Sequence, residues 1–241
     1  MVASPAPASS AAVVPNERTA RLVIRVAGTV AIVLMIVFLG LFPARALHQN
    51  LPGITSPILG LELASQPEQV FGILGFPGEA ERADYVRRVD LGNELDFLFM
   101  IAYPALFFGI ALLLGAHGSL ARGVVILAGV LAVTMALGDA LENRELLFLS
   151  GAADPAAMMP SLARLQRFTH VKWDAIFVAS ALLALGASRE AGWFCWSAPF
   201  YFIAAVLGLS ATFGWLAGIE LGMYPLAIGW IMAYVRAWRG R

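Results

Sequence analysis

The stretch VVILAGVLAVTMALGDALENRELLFL, residues 124–149, decides the fold. About fifteen apolar residues run from Val124 to Gly138, and Asp139-Ala-Leu-Glu-Asn-Arg-Glu145 then interrupts them before the apolar run resumes. An apolar run of that kind crosses most of a hydrocarbon layer about 30 Å thick. The polar insert therefore falls towards one membrane face. A carboxylate at such a depth is costly unless it pairs, faces a cavity or binds something.

Working outward, similar runs recur along the chain, which is 60% hydrophobic and 13% charged with mean hydropathy +0.78. That is a membrane composition and not that of a soluble domain. The expectation is an all-α membrane protein, a bundle of about six transmembrane helices with spans near 22–42, 95–114, 124–149, 165–186, 193–210 and 214–235. Residues 1–18, rich in Ala, Pro and Ser, read as a disordered cytoplasmic tail, and 19–241 as one transmembrane domain. Span 1 reads as a retained anchor. Its apolar core, Val26 to Phe42, exceeds the length of a signal-peptide core, although Ala44-Arg45-Ala46 fits a cleavage site.

Residues 43–92 form a 50-residue polar insertion between spans 1 and 2. Ser65-Gln66-Pro67-Glu68 has capping-box spacing, and Val70, Phe71 and Leu74 make one apolar edge, which predicts a short helix lying on the membrane surface. A second helical stretch, Glu79 to Val89, leads into span 2, with Pro104 as a kink. Beyond Asp154-Pro155 a long helix is expected to resume near Ser161. A turn near Ser210–Gly214 divides the final apolar run.

Arginine sets the orientation. Alternating the spans puts eight basic residues (18, 21, 25, 122, 189, 236, 239, 241) on one side with only Glu17 and Glu190, against eight basic and fourteen acidic residues opposite. The positive-inside rule places both termini in the cytoplasm and the insertion outside, as expected for a bacterial inner-membrane protein. The single cysteine, Cys195, excludes an intramolecular disulfide or a cysteine-ligated cluster. The even balance of 16 basic and 16 acidic residues argues against a nucleic-acid partner.

The same threading gathers five carboxylates near the outer face: Asp96, Asp139, Glu142, Asp174 and Glu220. Asp139, Glu142 and Asn143 share one face of span 3, and the structural alternative to a ligand site is a stripe tied to its neighbours through Arg144 or span 4. Arg167, His170 and Asp174 form a stripe on span 4, where His170 is more often a hydrogen-bonding residue than a ligand. Lys172, the chain's one lysine, points away from that stripe. It either snorkels to headgroups or pairs with Asp139 or Glu142. Asp96 reads as an ordinary first-turn residue unless residues 79–114 form one continuous helix. Glu220, inside an apolar run flanked by Gly214, Gly218 and Gly222, needs a partner, a proton or a cavity, with Arg144 or Arg167 as partners.

Three segments resemble uncharacterised bacterial multi-pass membrane proteins: Leu61–Gln69, the run Leu95–Phe99 and the D-x-x-E-N segment Asp139–Asn143. The resemblance spans residues 60–190, implies a membrane bundle, and imports no activity or cofactor. Two functions stand open at this point. One is an accessory or structural subunit of a membrane complex, with an outward-facing buried polar network and membrane-protein partners or a homo-oligomer. The other is a small-ligand or cation-binding protein, or an enzyme, using the carboxylate cluster with the insertion as lid. The sequence names neither a metal nor a catalytic residue.

Overall fold

The computed structural model describes residues 16–239. Eight α-helices carry the chain: α1 Glu17–Leu41, α2 Pro57–Glu62, α3 Pro67–Leu74, α4 Arg82–Ala116, α5 Arg122–Gly151, α6 Pro155–Ala187, α7 Ala198–Leu209 and α8 Ala217–Arg239. Six helical segments are long and apolar enough to cross a membrane: α1, α4, α5, α6, residues 192–213 around α7, and α8. Each packs on its neighbour in sequence, and α8 closes back on α1, so the six form a ring. Both described chain ends lie at one end of the bundle, the terminal end; the α2–α3 insertion lies at the other, the distal end.

Several boundaries move from the expectation. The first helix starts at Glu17, with Asn16 capping the Arg18 amide at 2.9 Å, so 16–18 are not a tail; residues 1–15 of that expectation lie outside the described residues. Helix α6 begins at Pro155 rather than Ser161, because the Asp154 carboxylate caps Ala156 N at 3.0 Å and proline is at home in a first helical turn. Helix α4 is continuous for 35 residues, so Asp96 sits in its interior. The expected turn near 210–214 is present as a 3₁₀ turn, Ser210–Phe213, ended by Gly214 at φ +95°, a backbone conformation that favours glycine.

Helices α4, α5 and α6 are about 45–53 Å long, well beyond the hydrocarbon thickness. Their excess at the distal end builds a second apolar core with the insertion. Leu61, Val70, Phe71 and Leu74 pack there against Tyr85, Val89, Leu146, Leu149, Leu162 and Leu165. The apolar edge of Val70, Phe71 and Leu74 is therefore spent on protein, where the sequence predicted a membrane surface. The α3 cap also sits one residue later than expected. Gln66 is the N-cap, and the Gln69 side chain accepts from Ser65 N at 2.7 Å and Gln66 N at 3.1 Å.

At the terminal end, α1 is stitched to α8: Arg25 donates to Ala237 O at 2.7 and 3.0 Å, and Thr29 and Tyr234 hydroxyls meet at 2.8 Å. His117 and Ser119, after α4, both bond Glu190, after α6.

Candidate functional site

The site forms where α4, α5 and α6 pass beneath α2. Gly138 lets α5 approach α6 backbone to backbone: a Cβ there would lie 3.2 Å from both N and Cβ of Lys172. That closeness puts Lys172, 4% exposed, beside the next turn of α5. Its ammonium spends its three donors on three carboxylates: Glu62 at 3.0 Å, Asp139 at 3.4 Å, and Glu142 in the closest contact. The indole of Trp173 lies beneath the same ammonium, with its ring centroid 4.9 Å away.

Glu62 ends α2 and is held by one turn of α6. Trp173 Nε1 donates to its carboxylate at 3.1 Å, Lys172 pairs with that carboxylate, and Thr169 Oγ1 donates to its carbonyl at 3.1 Å. Asn143, one residue past Glu142, donates to Asp96 Oδ2 at 2.7 Å and to Asn93 O at 3.4 Å, bringing α4 into the cluster. Four carboxylates thus gather around one lysine. Glu62 comes from α2, Asp96 from α4, and Asp139 and Glu142 from α5.

Some of the polar capacity here is unspent within the protein. Glu142 Oε2 and Asn93 Nδ2 are buried without a hydrogen-bond partner among the described residues. The Tyr103 hydroxyl faces Asp139 without closing a hydrogen bond of normal geometry. Buried polar atoms left in this state cost free energy unless something meets them.

The structure divides the residues singled out from sequence. It joins Asp96, Asp139, Glu142, Asn143 and Lys172. Asp174 is placed elsewhere, accepting from Thr212 Oγ1 at 3.0 Å. Glu220 lies in the first turn of α8 and binds neither Arg144 nor Arg167; its carboxylate accepts from Thr55 N at 2.8 Å, Ser56 N at 3.1 Å and the Thr55 hydroxyl, fixing the start of α2. Arg144 and Arg167 are exposed on the outward stripes of α5 and α6, and among the described residues neither has a hydrogen bond or ion pair, nor does half-buried His170 make a hydrogen bond. The polar stripe of α5 is tied to α6 through Lys172, and through Glu145, which pairs with Arg164 at 2.9 Å and accepts from Ser161 at 2.6 Å. Among the described residues no group of three or more His, Cys, Asp or Glu is disposed to hold a metal ion.

Glu62 is the residue that sequence reasoning missed. A lone carboxylate inside Leu59-Gly60-Leu61-Glu62-Leu63-Ala64 was the available signal, since such a context buries the backbone on either side of the charge. It lies in the first of the three segments that carried the family resemblance. The other two supply Asp96 and the Asp139–Asn143 group, so all three segments meet at this one place. Comparison of the chain with family models, curated proteins and solved structures finds no match.

Proposed function

We propose that the chain is a multi-pass protein of the bacterial cytoplasmic membrane that binds small cations, protons first, at this buried acid-rich site on the outer side. The observation that carries the reading is the charge count: Glu62, Asp96, Asp139 and Glu142 gather around Lys172 as their one cation among the described residues. An isolated buried carboxylate costs several kcal/mol, of order the whole stability of a domain when multiplied. The charge in excess of one lysine must therefore be met by protons or by a bound cation, and Glu142 Oε2 and Tyr103 Oη are the unspent oxygens that would hold one. The arginine distribution supports cytoplasmic termini, because the terminal end carries Arg18, Arg21, Arg25, Arg122, Arg189, Arg236 and Arg239.

Infrared pH titration of the full-length protein in lipid nanodiscs tests this. The expected result is a carboxylic-acid stretch in the neutral range that Asp96→Asn or Glu142→Gln removes, or else a monovalent-cation dependence of the spectrum. A spectrum of carboxylates alone, unchanged by pH and by cation, sinks the reading.

A second reading, an accessory subunit of a membrane complex, is favoured by Arg144 and Arg167. Two cations without ion-pair partners among the described residues, on the outward stripes of adjacent helices, suit acidic groups of a neighbouring subunit. Arg144→Glu with Arg167→Glu should then release a co-purifying protein while leaving the nanodisc spectrum unchanged.

A further inference from the structure

The buried polar atoms left unmet in this fold are not scattered. Among the described residues seven buried side-chain nitrogen and oxygen atoms have no hydrogen-bond partner. Five of them lie on one line: Asp90 Oδ1, Asn93 Nδ2, Glu142 Oε2, Tyr103 Oη and Trp230 Nε1. Residues 90, 93, 96 and 103 share the side of α4 that faces α5. There Ser150 stands opposite Asp90, Asn143 opposite Asn93 and Asp96, and Asp139 opposite Tyr103. From Asp90 to Tyr103 this seam covers about 20 Å, at about 1.5 Å per residue.

The line begins within reach of solvent and ends in the core. Asp90 is half-buried at the distal end, with Arg82 and Glu94 as the charges beside it. Arg82 commits its guanidinium to the carbonyls of Gly75, Ser150 and Ala152, and the Ser150 hydroxyl donates to Leu147 O at 3.0 Å. At the other end Trp230 reaches from α8 to stack on Tyr103, ring centroids 6.4 Å apart, and Phe107 closes edge-on against Trp230 at 5.3 Å. Beyond Tyr103, α4 carries no polar side chain as far as Ala116, and Ile110, Leu113 and Leu114 are fully buried.

The chemistry of the five atoms selects what meets them. The Asn93 amide nitrogen and the Trp230 indole nitrogen only donate, whereas the Asp90 and Glu142 carboxylate oxygens accept. A metal cation suits the oxygens and is repelled by the N–H groups. Water both donates and accepts, and buried water characteristically serves polar groups that the protein leaves unmet.

We propose that a file of bound water occupies this seam and carries protons from the distal end to the Lys172 cluster, with Asp90 as the entry group and the Tyr103–Trp230 pair as the inner stop. The inference rests on the reading of that cluster as a proton-binding site. Asp90 takes a proton from hydronium at the surface and leaves water behind. It hands the proton to the file and returns to carboxylate, and the proton ends on Asp96 or Glu142.

Two measurements on the full-length protein in lipid nanodiscs test the route. After a pH jump, the carboxylic-acid band that Asp96→Asn or Glu142→Gln removes should grow about a hundredfold more slowly in Asp90→Asn, the low end of what a positioned acid–base group contributes. Its final amplitude should be unchanged. Asp90→Glu should keep most of the parent rate. Asp84→Asn, which alters an exposed carboxylate on the opposite side of α4, should keep all of it. X-ray radiolysis, which makes hydroxyl radicals from water in place and needs no variant, should oxidise Tyr103 and Trp230 severalfold faster than Tyr201. Tyr201 is buried like Tyr103, but its hydroxyl is spent on Gly229 O at 2.8 Å. A parent-like rate in Asp90→Asn, or a Tyr103 no more reactive than Tyr201, overturns the route and leaves proton binding at the cluster standing. A parent without any titrating carboxylic acid overturns the reading of the cluster instead, and the route with it.

Discussion

The ammonium of Lys172 and the carboxylate of Glu62 meet at 3.0 Å although 110 residues separate them, and this contact joins the insertion to the membrane bundle. Lys172 is at once the counter-charge of α5's acids and the anchor of α2. The two roles can be separated by mutation.

Lys172→Met should be among the most damaging single changes in the chain. It leaves Glu62, Asp139 and Glu142 without their shared cation in a buried setting, and breaking such a pair from one side costs about 3–5 kcal/mol. Lys172→Met with Glu142→Gln should recover a large part of that loss, because one uncompensated charge is gone. Denaturant unfolding in mixed micelles measures both. Equal stability of the single and double variants would mean that Glu142 carries no net charge in the folded protein.

Glu62→Ala and Glu220→Ala should each loosen the insertion, from opposite ends of α2. Glu62 ties its last residue to α6, and Glu220 accepts two backbone amides and a hydroxyl at its start. Hydrogen exchange over 54–74 should accelerate in either variant. The double variant should do less than the sum of the singles, since a helix of six residues freed at one end has little left to lose at the other. Strict additivity would show that the clamps act on separate units.

The spans were legible because apolar runs of membrane length are hard to mistake, and the grouping of Asp96, Asp139 and Glu142 followed from alternation alone. Alternation fixes depth along a helix but not the direction a side chain faces. Asp174 and Glu220 share that end yet face Thr212 and Thr55, not Lys172. The distal extension of α4 was expected as the helical stretch Glu79 to Val89, but the first turns of α6, 155–160, were missed because Asp154-Pro155 reads as a break, whereas the Asp154 cap and the second core around Leu149 and Met158 hold them as helix. Glu62 was missed because its partners come from a helix more than a hundred residues later, and no local pattern reports them.

Outside the membrane, Glu79 provides a pH handle. A hydrogen bond from His48 at 2.8 Å, opposed in part by desolvation, holds its carboxyl below the ordinary range. A folded-state value below the unfolded one contributes stability above the unfolded value, which is lost as pH falls through the folded value. Amide exchange across 75–82 should therefore accelerate below about pH 4, the ordinary range of a glutamate. In His48→Ala the acceleration should begin at a higher pH. Identical exchange profiles for parent and variant would mean that the contact contributes nothing in solution.

Gly138→Ala tests whether backbone approach between α5 and α6 is what places Lys172. The added carbon would meet Lys172 N and Cβ at 3.2 Å and Cα at 3.3 Å. These are backbone-proximal atoms that cannot swing aside, so the helices must separate by a few tenths of an ångström. Overpacking of this kind costs about 1–3 kcal/mol. Lys172's contacts to Asp139 and Glu142, made in the turn just beyond Gly138, should loosen with it. The decisive comparison is Gly138→Ala measured in the parent and in Lys172→Met. If the glycine acts by positioning the ammonium, its cost should fall in the second background, because the contacts it protects are already gone. If the cost is the same in both, Gly138 serves helix packing alone, and the placement of Lys172 has another cause.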